Sequence, residues 1–251
     1  FFSTVVDARS TEPETAMDNL TARALVFPLG PDCLLAYDVD LLRVAIVWTP
    51  NEVPFKNGGM AVNSYPYQGV KVKGGLDALP QPQGEIWFQN GIYSGVGLGP
   101  PQITDPRPSL PDHEQVTRGG LDPERARFLG IDLSRGLEIQ YEMGGSVRVG
   151  ERFRREQNRL IRQLRIDAHG EPVFIVLAKD ANPSAFQCRG AGVIETVDGH
   201  VVCRIDRSTE QQLVSIVFSL SGDQVQGPSP RRAQRSSPPP VVKTVRRWSD
   251  V

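Results

Sequence analysis

The sequence predicts an all-β protein, an antiparallel β-sandwich with long Gly/Pro-rich loops. Three observations carry that expectation. Gly (24) and Pro (21) together make 45 of 251 residues, well above the roughly 12% usual for soluble chains, so turns must be plentiful. Apolar residues alternate with polar ones in short runs, the period that sets one face of a strand against a core. Turn residues interrupt these runs at close intervals, which favours a sandwich over an α/β arrangement.

In chain order, residues 1–22 are polar and lack a clear period, and are expected to be a loosely attached arm ahead of a domain spanning 23–221. Residues 33–37 and 41–48 are β-prone runs separated by Asp38-Val39-Asp40, whose carboxylates favour a tight connection, so a buried hairpin is expected. From Thr49 to Pro123, Gly, Pro, Asn and Asp dominate around apolar islands such as Ile86-Trp87-Phe88. A loop region of that length inside a compact domain is uncommon and often functional. Residues 128–133 and 137–142 alternate around Ser134-Arg135-Gly136, and Gly144-Gly145 turns into a further strand over 146–153. Residues 154–166 fit a helix face through Leu160, Ile161 and Leu164, or a strand face through Leu160, Leu164 and Ile166. A strand is expected, because 172–179, 192–197, 200–205 and 213–220 around it all look extended. Residues 222–251 form a Pro/Ser/Arg-rich tract containing Pro238-Pro239-Pro240, the composition of a stiff linker to a following domain.

The formal charge is −1, from 28 basic and 29 acidic residues. The tail from Gly222 onward contributes six basic residues against Asp223 and Asp250, a net +4, which leaves −5 on the remainder. That sign argues against nucleic acid as a partner, and the arginine excess reads as codon bias. Residues 148–165 hold seven arginines against Glu151 and Glu156, and without interleaved aromatics they read as a solvated strand face. No run approaches the roughly 18 apolar residues of a membrane span. The chain opens at Phe1 without a charged segment leading into an apolar core, so any secretory leader is expected either to have been removed or to lie outside this sequence. Cys33, Cys188 and Cys203 lack CxxC or CxxCH spacing, which excludes a zinc knuckle or covalent haem within this chain, and no cofactor is expected here. Asp198-Gly199 predicts a two-residue hairpin turn pairing Val197 with His200 and Ile194 with Cys203. Cys188 then lies six residues beyond the partner of Cys203, so free thiols are expected.

Candidate functional residues are few. Gly95-Val96-Gly97-Leu98-Gly99-Pro100 has the glycines of a phosphate loop, but Pro100 and Pro101 forbid the helix such a loop needs. Asp38 and Asp40 fall on one face of an extended segment, where they could share a cation or act as an acid/base pair; as turn caps they would instead bond their own backbone. Arg43, inside an apolar run, is expected to meet a carboxylate, with Asp105 as the candidate. His113, His169 and His200 are scattered, and no nucleophile in an elbow context accompanies them. Trp48, Trp87, Tyr93, Tyr65 and Tyr67 are flat aromatics that could stack on sugar rings, with core packing the competing role, above all for Trp48.

Taken together, Tyr37-Asp38-Val39-Asp40-Leu41-Leu42-Arg43-Val44 through Trp48-Thr49, then Asp105-Pro106-Arg107, then 128–131 on to Tyr141, and finally Arg246-Arg247-Trp248 resemble an uncharacterised domain near the N-terminus of large secreted planctomycete and verrucomicrobial proteins. The resemblance covers most of residues 25–220. It implies a periplasmic or extracellular location and a continuation into a propeller similar to sugar dehydrogenases and a c-type cytochrome domain. Haem is thereby implied only for that downstream domain, and no catalytic residues are implied. The expectation is a non-catalytic module that positions a carbohydrate or docks those downstream domains, with ligand contacts drawn from Asp38, Asp40, Arg43, Trp48, Trp87, Tyr93 and Arg107. The alternatives are a carbohydrate-active enzyme using Asp38 and Asp40 with Arg43, or an envelope structural protein, which would show an unpaired edge strand or apolar patch.

Overall fold

The computed structural model describes residues 1–9, 19–56, 79–108, 119–134 and 136–219. Strands β1 (Phe2–Asp7), β2 (Leu20–Pro28), β3 (Leu34–Asp38), β4 (Arg43–Lys56) and β5 (Gln81–Gln89) form a five-stranded antiparallel sheet in chain order. The short β6 (Val96–Leu98) starts a different sheet. A meander follows, from β7 (Ala126–Asp132) through β8 (Glu138–Met143) and β9 (Val147–Glu156) to β10 (Arg159–Ile166). The chain then alternates between the two remaining sheets. β11 (Val173–Lys179) pairs with β6, β12 (Phe186–Arg189) lies at the edge of the meander sheet, and β13 (Gly192–Val197) and β14 (His200–Ile205) complete the four-stranded sheet beside β11. β15 (Gln212–Ser219) ends between β12 and β10, giving a six-stranded sheet. The fold is all-β and antiparallel; no α-helix occurs among the described residues, and the sheets do not close into a barrel.

Strand alternation explains how three sheets share one interior. Leu35 and Tyr37 of β3 and Val44 and Val47 of β4 face the main core, where they meet Ile139, Tyr141 and Val149 of the six-stranded sheet and Val173, Ile175 and Cys203 of the four-stranded one. On the outer face of the first sheet, Ala36, Ile46 and Trp48 join Val6, Ala24, Val26 and Phe55 in a second cluster. The far face of the four-stranded sheet buries Tyr93, Phe174, Val176 and Val202. Both faces of β3 and β11 are therefore covered, which is why these strands read as continuous apolar runs.

Three expectations change. Part of the N-terminal arm is structure: β1 pairs with β2 (Phe2↔Val26 to Asp7↔Leu20), and its pattern was hidden because polar Thr4 and Asp7 are buried with Val6. Leu41 and Leu42 belong to the turn before β4, and Leu42 has φ 52. The region 49–123 is partly sheet, since β4 runs on to Lys56 and Trp87 lies in β5. The ambiguous residues 154–166 are extended as expected, in β9 and β10 around a turn at Gln157. The tract 222–251 lies outside the described residues, as do Tyr65, Tyr67 and His113.

Candidate functional site

The turn joining β3 to β4 gathers three of the residues singled out from sequence, and it is wholly buried from Asp38 to Arg43. Asp38 Oδ1 accepts from the backbone N–H groups of Asp40 (2.9 Å) and Leu41 (3.2 Å), which makes it a turn cap. Its Oδ2 takes the Arg43 Nε–H at 3.2 Å. Arg43 spends its other donors on Asn19 Oδ1 (3.0 Å), the Asn90 carbonyl (2.7 Å) and Thr21 Oγ1 (3.2 Å). The carboxylate expected beside Arg43 is thus Asp38 rather than Asp105, which instead binds Arg107 at 2.9 Å. Asp40 Oδ1 accepts from Arg23 Nε at 2.8 Å, and its Oδ2 is buried without a hydrogen-bond partner. Burial raises the Asp38 pKa; the Arg43 charge opposes that rise and Asp40 adds to it. Neighbouring backbone seals the turn, with Val39 N–H on the Arg23 carbonyl, Gly95 N–H on Leu41 and Leu121 N–H on Asp40. This is an internal clamp, in which Asp38, Asp40 and Arg43 are all buried.

The aromatics are committed to packing as well. Trp48 is completely buried and meets Phe55 edge-on at 5.4 Å. Trp87 donates its indole N–H to Thr49 Oγ1 (2.9 Å), and the Arg155 guanidinium lies 5.1 Å from its ring centroid. Tyr93 donates to Asn90 Oδ1 (2.7 Å) and packs edge-on against His200. Arg107 is half-buried and held by Asp105 and the Gly119 carbonyl. The rings of His169 and His200 bond backbone carbonyls. Sequence reasoning could not separate these roles, because a buried tryptophan on a strand and a sugar-stacking one carry the same local pattern.

An open cleft of about 440 Å³ lies elsewhere in the domain. Its floor is built by β6 against β11, where Gly97 pairs with Phe174. A side chain at Gly97 could not coexist with that ring, since a Cβ would stand 2.5 Å from Phe174 Cζ. The turn between β8 and β9 closes one end at Gly144, whose φ of +56 is a conformation glycine adopts freely. The rim is polar. Asp122, Glu124 and Glu171 bring three exposed carboxylates, and Arg125 the opposing charge. A local turn orders the first of these: Asp122 Oδ1 accepts from Glu124 N–H (2.9 Å), and the Asp122 carbonyl from Arg125 and Ala126. Arg125 Nη2 donates to Gln102 Oε1 (2.5 Å) across the cleft wall. Glu171 lies beside the glycine turn at Gly99, whose N–H is held by the Pro172 carbonyl (2.8 Å). Of the segments singled out from sequence, Gly95-Val96-Gly97-Leu98-Gly99-Pro100 supplies Val96, Gly97 and Leu98 to the cleft, as strand β6. Carboxylates and an amide around a shallow apolar floor can accept hydrogen bonds from neighbouring hydroxyls, while Arg125 donates. Among the described residues no group of three or more His, Cys, Asp or Glu is placed to hold a metal ion.

Comparison with known proteins places residues 35–147 in a match to a family described as a domain of unknown function, DUF6797. The matched stretch runs from β3 to the first residue of β9, so it contains the buried turn from Asp38 to Arg43, though not its partners Asn19, Thr21 and Arg23, and the 96–102, 122–125 and 144 walls of the cleft, but not Glu171 or Phe174. No curated protein and no solved structure matches the chain.

Proposed function

We propose that this domain is a non-catalytic positioning module whose cleft holds a polyhydroxylated ligand, a carbohydrate chain, in a secreted oxidative protein. One observation carries the reading: the exposed acidic groups Asp122, Glu124 and Glu171 converge with Arg125 and Gln102 on one cleft, whereas Asp38, Asp40 and Arg43 are buried inside the fold. The location, periplasmic or extracellular, and the partners, a sugar-dehydrogenase-like propeller and a haem-bearing cytochrome domain further along the polypeptide, rest on the family resemblance of the sequence. With little aromatic surface exposed in the cleft, affinity per sugar is weak, on the order of millimolar or about 4 kcal/mol.

The test is a polysaccharide screen that follows pull-down and release of reducing ends together. Binding without turnover, lost in Glu171→Gln and in Asp122→Asn, is the expected result. Turnover abolished by either substitution would make the domain an enzyme acting through the cleft carboxylates rather than through Asp38 and Asp40. Absence of both binding and turnover would favour domain docking. That second reading has its own observation: β7 is an edge strand with Leu129 42% exposed, and Leu133, just beyond it, is 60% exposed.

A further inference from the structure

The hairpin register deduced from Asp198-Gly199 is the one observed, with Val197 opposite His200 and Ile194 opposite Cys203. Its corollary, that Cys188 stands apart from Cys203, is not. Cys188 lies on β12, which pairs with β15 in the six-stranded sheet (Cys188↔Ile216), while Cys203 lies on β14 of the four-stranded sheet. Between them the chain reverses at Gly190, φ +107, and brings β12 back over the start of β13. The two sulfurs come within 3.7 Å of each other, both as free thiols. They meet in the space left by Gly192: a Cβ there would lie 2.5 Å from Cys188 Sγ and 2.6 Å from Cys203 Sγ.

We propose that Cys188 and Cys203 form a thiol–disulfide exchange site, with Cys188 as the attacking thiol and Cys203 as the resolving one, and that its closure cross-links the six-stranded and four-stranded sheets. This goes beyond the ligand-positioning role and does not depend on it. The two sites are asymmetric in the way exchange requires. Cys188 is half-exposed at a sheet edge, whereas Cys203 is completely buried in the main core. The Cys203 S–H donates towards Cys188. That hydrogen bond, assisted by the Gly192 N–H against partial burial, brings the Cys188 pKa down to about 7. The same bond, together with burial, pushes Cys203 up, so it holds its proton until Cys188 has reacted. Cys33 is different: it is buried beside β3, and burial raises it to about 11 despite the Arg155 charge.

The oxidant is an external disulfide, RSSR. The Cys188 thiolate attacks one sulfur of RSSR, the S–S bond between the two R groups' sulfurs breaks, one RS⁻ leaves, and a Cys188–S–S–R mixed disulfide forms. Cys203 then loses its proton to solvent and attacks Cys188 Sγ, displacing the second RS⁻. Two protein thiols become one disulfide and one external disulfide becomes two thiols. A bond length of about 2.05 Å requires the sulfurs, 3.7 Å apart, to close by roughly 1.6 Å.

The experiment exposes the reduced full chain to glutathione disulfide at pH 7.5, then alkylates under denaturing conditions and maps peptides by mass spectrometry. Wild type is expected to give the Cys188–Cys203 cross-linked peptide, with Cys33 alkylated. Cys203→Ser is expected to trap Cys188 as a glutathione adduct, and Cys188→Ser to leave Cys203 at least tenfold less reactive than Cys188. A persistent Cys188 adduct in the wild type without the cross-link overturns the proposal, as does equal reactivity of the two single variants. Neither wild-type outcome depends on a variant folding. Gly192→Ala, which fills the gap between the sulfurs, is expected to slow cross-linking at least tenfold while leaving the adduct step in place; unchanged closure would show that the gap is not what brings the sulfurs together.

Discussion

Arg162 and Glu151 form an ion pair at the centre of the molecule, Nε to Oε1 at 2.6 Å, with side chains 5% and 0% exposed. The approach is close but off the hydrogen-bond line, so both atoms also count as lacking an aligned hydrogen bond; the interaction is mainly Coulombic. Burial alone would lower the Arg162 pKa; the Glu151 charge and hydrogen bond, together with Tyr141 and Tyr37, outweigh it and raise the pKa. Tyr37 donates to Glu151 Oε2 at 3.4 Å, and the buried Tyr141 stands beside the pair. Arg162 also reaches the Val176 carbonyl at 3.5 Å, touching the four-stranded sheet from the six-stranded one. Removing one member leaves the other charge desolvated and alone, so Glu151→Gln is expected to cost about 3–5 kcal/mol in urea denaturation. Glu151→Leu with Arg162→Met is expected to recover most of that loss, because no charge is then left unpaired. A double variant as weak as the single would mean that the pair's value lies in packing.

Asp38 gives a second prediction at the same scale, with a definite sign. Its folded-state pKa is above the ordinary 3.8 because burial outweighs Arg43. Between 3.8 and the raised value the native state binds more protons than the unfolded chain, so stability falls as pH rises through that window and is level above it. Asp38→Asn keeps a side-chain oxygen for the turn and removes the titration. The difference between the wild-type and Asp38→Asn melting curves is therefore expected to vary with pH from about 4 upward and then flatten. A pH-independent difference would mean that Arg43 neutralises Asp38 fully. Glu138 acts in the opposite sense: hydrogen bonds from Gln140 and Arg165 and the charges of Arg165 and Arg152 outweigh its burial and lower its pKa. Its contribution is present above 4.5 and lost as pH falls through the lowered value, which is why the single-site difference, not the raw profile, is the informative measurement.

Among the elements, the connection from β5 to β6 is held closest to the clamp. Gly95 donates to the Leu41 carbonyl (2.9 Å) and accepts from the Val176 N–H (2.8 Å), tying the first sheet's turn to β11. A Cβ at Gly95 would stand 2.5 Å from Arg43 Cα and closer still to the Leu42 carbonyl oxygen. Backbone atoms cannot rotate aside, so Gly95→Ala is expected to cost about 1–3 kcal/mol, visible as a lower thermal midpoint with an unchanged β-type spectrum. The contrast with Gly192 is instructive, because there the obstructing atoms are two side-chain sulfurs and the effect falls on reactivity. β12 is an edge strand of four residues with β15 as its sheet neighbour. Its amides are expected to exchange faster than those of β10, and to slow once Cys188 and Cys203 are joined.

For the whole molecule, the three sheets have one continuous core, and unfolding should be a single transition for the described domain. A Cys188–Cys203 cross-link closes a loop of about 15 residues, worth about 3 kcal/mol in the chain-entropy description. For a domain of this size that corresponds to a rise in melting temperature on the order of 6–12 °C between reduced and oxidised protein. No change on oxidation, with the cross-link verified, would indicate that native-state distortion cancels the loop term.

Local patterning determined the all-β antiparallel class, the β7–β8, β8–β9 and β13–β14 connections and even the register at Asp198-Gly199, because each is decided by period-two alternation and turn chemistry within a few residues. The buried partners of Arg43 and Arg162, the packing of Trp48 and Trp87, the cleft rim and the Cys188–Cys203 approach all depend on which distant strands become neighbours. The β6–β11 and β12–β15 pairs join segments far apart in the chain, and three sheets meeting over one core place side chains from each beside the others. An isolated strand states which residues share a face; the identity of what covers that face is settled only when the sheets pack, since burial and charge pairing are properties of the assembled interior.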